Sequence, residues 1–282
     1  MKEKSVFIIL INYKGYEDTT ACIKSLRKID YENYHIIIVD NCSNDGSYER
    51  LCDENKDCIV MMADGNNGFS AGNNIGIHYA MDHGADYVML LNNDTEVKST
   101  FLKKMLETAN DTTVVTPSIY YYSEPNKIWY ADGRINYSRC TVSNGNDKES
   151  KYCNYASGCC LLIPRRVIDE VGYWAEEYFM YYEDMDYSIR ILQNGFKIFY
   201  NKDAVVYHKA GKTAGRKSEL SIYYNVRNRL YVIKKYNFSR KCLIFTLVSR
   251  LIRCIEGCLK RSNERVTMQA IKDYYSGKMG VR

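Results

Sequence analysis

Two acidic segments carry the side chains whose types and spacing could do chemistry. The turn NND at 92–94 follows an apolar run and leaves the carboxylate of Asp94 beside two amides. Carboxylate and amide oxygens are the ligands that a hard divalent cation such as Mg²⁺ or Mn²⁺ takes. The pair Glu183 and Asp184 follows four aromatic or apolar residues and opens a predicted helix. A carboxylate held partly out of water in that position suits a general base near neutral pH.

A simpler interpretation stands beside each of these segments. An aspartate beside asparagines commonly forms a solvated turn, and acids at the start of a helix complement the helix dipole. For Asp186 we expect that simpler role, with Arg190 completing an i,i+4 ion pair. His208 ends a predicted strand, where a histidine could either be structural or complete a metal shell as a neutral imidazole.

The segment DGNNGFSAGNNIG at 64–76 could receive an anionic group. Its four glycines permit a close backbone approach, and the helix predicted beyond them would offer free amides. No Lys-Ser/Thr pair follows and the GxGxxG pattern is absent, so it is neither a Walker loop nor a dinucleotide fingerprint. A tight connection from strand to helix is the alternative.

The elements around these segments predict an α/β fold with a largely parallel sheet. Continuous apolar runs are typical of strands that are buried on both faces, and here they alternate with stretches of helical spacing. Strands are predicted at 5–12, 34–40, 58–63, 87–91, 157–164 and 197–208, and helices at 16–28, 73–83, 165–171 and 183–194. Ligands of such sheets bind beyond the carboxyl ends of the strands.

Composition and charge exclude several classes and single out the last part of the chain. The 282 residues are 46% hydrophobic and 26% charged, which excludes a disordered or membrane-embedded chain. From Tyr207 onward there are 18 Lys and Arg residues against 4 Asp and Glu residues. We expect 236–282 to form a basic amphipathic helical tail, too short in its apolar runs to span a bilayer. The tail could contact an anionic membrane, or pack on the domain with a solvated basic face.

Cysteine usage and the start of the chain indicate a compartment. The chain has 11 cysteines, an odd number, and its first residues lead into a strand without the pattern of an export signal. We therefore expect free thiols in a cytoplasmic protein, with membrane contact through the tail placing it at the inner face of the plasma membrane.

Taken in order, these segments resemble family 2 glycosyltransferases with the GT-A fold. The similarity covers about residues 5–232 and is carried by INY, VDNCSNDGS, NNGFSAGNN, LNNDTE, YYEDMDYSIR and VVYHKAGKT. The later stretch YYNVRNRLYVIKKY resembles the bacterial rhamnosyltransferase-like branch. The resemblance implies a GT-A catalytic domain over 1–235, with a nucleotide-sugar-binding half at 1–117 and an acceptor-binding half at 118–235.

The resemblance also assigns roles to individual positions. Asp94 would bind the metal and diphosphate with help from His208, and Asp184 would be the catalytic base with Glu183 next in line. The nucleotide would be contacted by Asn12, Tyr13, Asp40, Asn67, Gly68, Gly72, Asn73 and Asn93. Many relatives have acidic residues where this chain has asparagines at 92 and 93, which leaves a single carboxylate for the cation.

Two further groups of residues follow from the chemistry of the reaction. The aromatic side chains upstream of the acidic pair, Trp174, Tyr178 and Tyr181, could form a platform for an acceptor sugar, with core packing as the alternative. Basic residues could neutralise the diphosphate that departs, namely Lys212, Arg216, Arg227 and Arg229.

The expected activity is inverting, metal-dependent glycosyl transfer in the synthesis of a surface polysaccharide. The donor would be dTDP-rhamnose or a UDP-hexose, and the acceptor a lipid-linked saccharide or a polysaccharide. A catalytically silent protein that binds nucleotide sugars or glycans on the same scaffold is the alternative. Nucleic-acid binding is not expected, because the basic residues form no aromatic-interleaved pattern. A homodimer through the tail is a further hypothesis.

Overall fold

The computed structural model describes residues 3–210, 218–258 and 264–282. Its main sheet has the strand order β10-β12-β6-β11-β4-β1-β2-β3, with β5 beside β12 and β7 beside β6. The strands of this sheet are β1 Val6–Asn12, β2 Tyr34–Asp40, β3 Ile59–Met62, β4 Tyr87–Leu91, β5 Thr95–Val97, β6 Thr113–Tyr121, β7 Ile128–Tyr130, β10 Lys151–Cys153, β11 Cys160–Pro164 and β12 Lys197–His208. A separate hairpin consists of β8 Arg134–Asn136 and β9 Thr141–Ser143.

Helices cover both faces of this sheet, as the sequence predicts for an α/β fold. They are α1 Tyr16–Leu26, α2 Ser47–Glu54, α3 Phe69–Asp82, α4 Phe101–Thr108, α5 Arg165–Val171, α6 Glu183–Gln193, α7 Glu219–Lys235, α8 Arg240–Cys258 and α9 Glu264–Tyr275. Within β1, Ile8 and Leu10 pack in one core while Phe7 and Ile9 pack in the other. Because alternate side chains of a strand point to opposite faces, the apolar run of β1 requires a cover on both sides.

The first four strands are parallel, and β11, which lies beside β4 in the sheet, runs in the opposite direction. Strands β1, β2, β3 and β4 are parallel neighbours, whereas β11 runs antiparallel to β4 with Cys160 opposite Leu91. The loop before β11 therefore lies at the same edge as the carboxyl ends of the first four strands. Within the described residues, Asn12, Asp40, Asp94 and His208 follow or end strands at this edge.

Pro117 lies inside strand β6, although the nucleotide-sugar-binding half is expected to end at this residue. It pairs with Asn201 of β12, and the pairing resumes at Ser118 with Val205. A proline has no backbone N–H to donate to a neighbouring strand. The register shift of β12 between Asn201 and Val205 lies beside this proline. Because β6 continues across residue 117, the halves 1–117 and 118–235 share one sheet.

The basic last part of the chain is helical, as expected, but it is not one continuous helix. Helix α7 ends at Lys235 and α8 begins at Arg240, with Asn237 between them at a φ of 50°. Helix α9 packs against α7, and Val266 and Ala270 of α9 join a small core with Tyr224 and Leu230. The helical tail that the sequence predicts is therefore built onto the domain through α7.

Candidate active site

Strand pairing brings the two predicted metal ligands together. Strand β12 runs antiparallel to β5, and the register sets His208 opposite Thr95, the residue after Asp94. The Nε2 atom of His208 lies 3.1 Å from Oδ1 of Asp94, and the two residues are 7% and 8% exposed. The amide of Lys209 donates to the carbonyl of Asp94 at 2.9 Å and fixes the turn.

This pair fits the first two ligands of a hard divalent cation. Octahedral ligands about 2.1 Å from Mg²⁺ lie about 3.0 Å apart, close to the separation of these two atoms. The Nδ1 atom of His208 is buried without a hydrogen-bond partner, and the edge of the Trp129 ring meets the imidazole. Within the described ranges, no group of three His, Cys, Asp or Glu side chains could hold a metal. Water and a diphosphate would have to supply the remaining ligands.

A buried network of side chains links the ends of β1, β2 and β4. Asn12 donates to Asp40 at 2.5 Å and accepts from the hydroxyl of Thr19 at 2.9 Å, and that hydroxyl accepts from Asn93 at 2.8 Å. Asp40 also accepts from the amide and hydroxyl of Ser43 at 2.8 and 2.7 Å. Because Asp40 is fully buried, we expect it to act by fixing this turn, and through it the nucleotide site.

The glycine-rich segment packs so closely that two of its glycines are required. A Cβ on Gly72 would lie 2.6 Å from Oδ1 of Asn41, whose amide nitrogen donates to the carbonyl of Gly68 at 3.0 Å. Gly68 has a φ of 95°, and a Cβ there would meet the carbonyl of Phe179 at 2.3 Å. The segment is therefore fixed between the end of β2 and the loop that precedes Asp184.

Three other predicted nucleotide-binding residues lie around this segment. Asn73 is buried and donates within α3 to the carbonyl of Phe69 at 2.8 Å. Asn67 is exposed and donates to Asp64 at 3.0 Å. Tyr13, at the end of β1, leaves 37% of its surface exposed. Tyr13 and Asn67 are thus the members free to contact a ligand, while Asn73 is held within its helix.

The predicted base is held at the start of α6 by three donors. Oδ2 of Asp184 accepts from the hydroxyl of Tyr155 at 2.5 Å and from the amide of Gly158 at 3.3 Å, and Oδ1 accepts from the amide of Met185 at 2.8 Å. Burial raises the pKa of Asp184, and these hydrogen bonds oppose part of the rise. A raised pKa and fixed geometry are what a general base requires.

Glu183 differs from its neighbour in its surroundings. It is 8% exposed and its Oε2 atom is buried without a hydrogen-bond partner. Burial, followed by repulsion from Asp184, raises the pKa of Glu183 well above its usual value. Of the two neighbouring carboxylates, Asp184 is the one with hydrogen-bond donors on both of its oxygens.

Two adjacent residues join the base to the metal pair. The amide of Gly158 donates to Asp184, and the carbonyl of Cys159 accepts from the amide of Asn92 at 2.9 Å. The turn before β11 therefore touches Asp184 on one side and the turn of Asp94 on the other. The predicted base, the two predicted metal ligands and the polar ends of β1 and β2 therefore lie at one edge of the sheet.

Comparison with known proteins identifies the family. The sequence profile described as "Glycosyl transferase family 2" matches residues 5–172, more than half of the chain. This chain belongs to glycosyl transferase family 2. The expected membership of this family is thereby confirmed, and the chain is a glycosyltransferase.

Two characterised relatives extend over most of the chain. The low-salt glycan biosynthesis hexosyltransferase Agl10 of Haloferax volcanii is 26% identical over 79% of this chain and 73% of its own length. The dTDP-rhamnosyl transferase RfbF of Shigella flexneri is 22% identical over 86% of each chain. Both matches reach beyond the part that the family profile covers.

A solved structure shows the same fold. GalNAc-T7, solved with UDP, GalNAc and Mn²⁺, superposes with a TM-score of 0.66 over 79% of this chain at 17% sequence identity. The matched part covers 47% of the GalNAc-T7 chain, so the similarity concerns the domain that the two proteins share. The predicted GT-A fold is thereby confirmed.

The predicted acceptor platform is mostly inside the glycosyltransferase core. Trp174 is 2% exposed and its ring stacks on Tyr187, and Tyr178 is buried with its hydroxyl donating to Asp186 at 2.8 Å. Their burial favours the packing alternative for both. Tyr181 is half-buried and precedes the acidic pair, so it stays the candidate that can face an acceptor.

The basic residues expected at the diphosphate fall into two groups. Lys212 and Arg216 lie outside the described residues. Arg227 and Arg229 are 1% and 6% exposed, and both donate to backbone carbonyls, Arg227 to Gly280 and Arg229 to Arg139. The expectation that Arg227 and Arg229 neutralise a diphosphate was wrong, because their guanidinium groups are used inside the fold.

The simpler role expected of Asp186 agrees with its contacts. Its Oδ2 accepts from Arg190 at 2.8 Å, and its Oδ1 lies 2.7 Å from the ammonium of Lys235. Burial raises the pKa of Asp186, but the two cations outweigh it and leave the pKa below its usual value. Asp186 thus joins α6 to α7.

Sequence reasoning missed Tyr155 and Gly158, which contact the base directly. They lie in NYASGCC at 154–160, where small residues precede a short apolar strand. The only signal was that this strand follows a loop rich in tyrosine and glycine. Their proximity to Asp184 depends on the antiparallel insertion of β11, which local pattern does not show.

Proposed function

We propose that this protein is an inverting, metal-dependent glycosyltransferase that acts in glycan biosynthesis. It would transfer a sugar from a nucleotide-sugar donor to a saccharide acceptor. One observation carries the proposal, namely the turn whose residues Gly158 and Cys159 contact Asp184 and the turn of Asp94. The base and the metal ligands thereby share one edge of the sheet, and the family supplies the reaction class.

The residues of the chain suggest how a single displacement would proceed. Asp184 accepts the proton of an acceptor hydroxyl as that oxygen attacks the anomeric carbon, and the nucleoside diphosphate leaves from the opposite face. One base and one displacement invert the anomeric configuration. A divalent cation held by Asp94 and His208 would stabilise the negative charge of the leaving diphosphate. Tyr155 keeps the Asp184 carboxylate oriented through its hydroxyl.

For the donor we propose dTDP-rhamnose or a UDP-hexose. RfbF, by its name a dTDP-rhamnosyl transferase, matches 86% of this chain, and Agl10 is named a hexosyltransferase. The ends of β1 and β2, with exposed Tyr13 and the turn fixed by Asp40, form the proposed base site.

For the acceptor we propose a lipid-linked saccharide reached at an anionic membrane surface. Helix α8 buries Cys242 and Thr246 but exposes Ile244, Val248 and Ile252, which lie one helical turn apart. The exposed basic residues Arg240, Lys241 and Arg139 lie on or beside this helix. Among the helices of the described residues, none is long and apolar enough to cross a membrane. An apolar face flanked by cations suits contact with the interface of anionic lipids.

The metal and donor sites are tested by thermal shift with UDP, dTDP, GDP and CDP, each with and without Mn²⁺. Ligands that bind the folded state raise the midpoint by mass action. We expect a Mn²⁺-dependent shift with dTDP or UDP that Asp94→Ala loses and that Asp53→Ala, an exposed carboxylate on α2, retains. Transfer from the matching nucleotide sugar completes the test. A shift without transfer to any saccharide would support the silent-scaffold alternative.

The membrane contact is tested by sedimentation with lipid vesicles. We expect the protein to pellet with vesicles that contain phosphatidylglycerol and to stay in solution with neutral phosphatidylcholine. The double variant Ile244→Glu, Val248→Glu should stay in solution with both, whereas Met268→Glu, which changes an exposed apolar residue of α9 instead of α8, should behave as wild type. Equal pelleting of wild type and double variant would support the packing role of the tail alone.

A further inference from the structure

The loop that leads to the base has an unusual backbone. Phe179, Tyr181 and Tyr182 have φ values of 64°, 66° and 75°, although none of them is glycine. Tyr182 is the residue before α6, so the direction of this loop sets the position of Asp184 at the start of the helix. Backbone in this region persists only where the surroundings hold it.

Two buried side chains of α7 hold this loop by its carbonyls. The amide nitrogen of Asn228 lies 2.9 Å from each of the carbonyls of Tyr178, Met180 and Tyr181, and its two hydrogens are shared among these three acceptors. Arg227 donates from Nη2 to the carbonyls of Glu177 and Tyr178 at 3.2 and 3.1 Å. Asn228 is fully buried and Arg227 is 1% exposed, so water does not compete for these bonds.

Arg227 also fixes the orientation of Asn228. Its Nε donates to Oδ1 of Asn228 at 3.0 Å, which turns the amide nitrogen of Asn228 toward the loop. Its Nη1 donates to the carbonyl of Gly280 at 2.7 Å, and the amide of Gly280 donates back to the carbonyl of Glu177 at 2.8 Å. One guanidinium thus joins α7, the loop and the segment after α9.

The opposite side of the loop faces the nucleotide half. The carbonyl of Phe179 accepts from the amide of Phe69 at 2.8 Å, beside Gly68. The ring of Phe179 stacks on Tyr224 of α7 with 4.8 Å between ring centres. The loop therefore lies between α3 and α7, and each side holds different carbonyls.

We propose that Arg227 and Asn228 are positioning residues for the catalytic base. The inference rests on the proposed function, because it concerns the placement of Asp184 during transfer. Neither residue touches the Asp184 carboxylate; they act by keeping the backbone of 177–182 in the one conformation that starts α6 at Glu183. Displacement of a reacting group by about 1 Å can cost about 100-fold in rate.

The test replaces Asn228 by a residue of the same shape that cannot donate. Asn228→Asp places an oxygen against the three carbonyls, and Asn225→Asp is the matched control, because Asn225 on the same helix donates to the carbonyl of Ser221 within α7. We expect kcat to fall about 10–100-fold in Asn228→Asp with the KM for the donor within about twofold of wild type. Asn225→Asp should retain both values.

A second readout does not depend on transfer. Hydrogen exchange of the amides in 177–187 should become faster in Asn228→Asp than in Asn225→Asp, while exchange in α2 stays unchanged. If the wild type transfers no sugar, the proposed function fails, yet this exchange difference still decides the positioning role. Unchanged exchange in 177–187, or equal losses in kcat and in donor binding, would overturn the inference.

A second variant covers the case in which Asn228→Asp does not fold. Arg227→Lys keeps the charge but cannot reach Gly280, Glu177 and Asn228 at once, because an ammonium is a point donor. As for Asn228→Asp, we expect kcat to fall, here by about 10-fold, while donor binding is kept and hydrogen exchange in 177–187 becomes faster. Wild-type values in both measurements would contradict the proposal.

Discussion

The two ends of the proposed site, the donor end at the ends of β1, β2 and β4 and the base end at the start of α6, are held together in different ways. At the donor end, side chains from the ends of β1, β2 and β4 bind one another, as Asn12 does with Asp40 and Thr19. At the base end, side chains of α7 bind backbone carbonyls of a loop with left-handed residues. The side chains of the donor end hold one another in place, whereas the loop of the base end is held by side chains of α7, which is distant in sequence.

The two regions differ in which side chains hold the backbone in place. Left-handed backbone occurs at both ends, because Lys14, Cys42 and Asn44, which follow β1 and β2, have φ values of 53°, 57° and 51°. Each non-glycine residue in the left-handed region costs about 1–2 kcal/mol, and the base loop also contains three of them. We infer that precision at both ends is maintained at the expense of local stability, as is common at functional sites.

The largest expected effect is the loss of transfer in Asp184→Asn. An amide cannot accept the proton, so kcat should fall by about 10²–10⁴-fold while the thermal shift with donor is kept. This result would show that the base end can be disabled without disturbing the donor end. The control is Glu183→Gln, which should keep most of the activity. If Glu183→Gln loses transfer and Asp184→Asn keeps it, the assignment of the base is wrong.

An intermediate effect is expected at the donor end from Gly72→Ala. The added methyl would displace Asn41 from the carbonyl of Gly68, and we expect a loss of about 1–2 kcal/mol in the free energy of unfolding and weaker nucleotide binding. Gly65→Ala is the control, since the nearest atom to its Cβ would be 3.8 Å away. Chemical denaturation of both variants measures the difference, and equal stabilities would remove the packing argument.

The smallest expected effect is a shift of the pH profile in Tyr155→Phe. The Tyr155 hydroxyl favours the ionised form of Asp184, so its removal raises the pKa of Asp184 further. The base must be ionised, so the acid limb of kcat should move to higher pH. Tyr130→Phe, which loses a bond to the carbonyl of Tyr155 instead, should leave that limb in place. An unmoved limb in Tyr155→Phe would show that the hydroxyl does not tune the base.

Sequence reasoning reached the donor end more completely than the base end. Apolar runs in β1, β2 and β4 predicted the strands, and polar residues at their ends were expected to converge, as Asn12 and Asp40 do. Asp184 and the pair of Asp94 and His208 were also singled out from motifs, and strand register places that pair 3.1 Å apart.

The supporting residues of the base end could not be predicted from local sequence patterns, because their roles depend on contacts between residues far apart in the chain. Tyr155 reaches Asp184 across 29 positions and Asn228 reaches Tyr178 across 50, and neither residue type marks such a role. Arg227 was misassigned for the same reason, because a cation in a basic stretch is typical of a surface, whereas here it binds buried carbonyls. Likewise, the continuation of β6 past Pro117 depends on its pairing with β12, whose irregularity at this position is not visible in the local sequence.

The continuity of β6 across residue 117 has a consequence for modular engineering. A chimera that joins the first 117 residues of one relative to the remainder of another would cut β6 in its middle and pair each fragment with foreign neighbours in the sheet. An exchange of donor specificity between relatives would therefore succeed more readily by grafting the surface turns at the strand ends. The framework of β4, β11, β6 and β12 would then come from one parent.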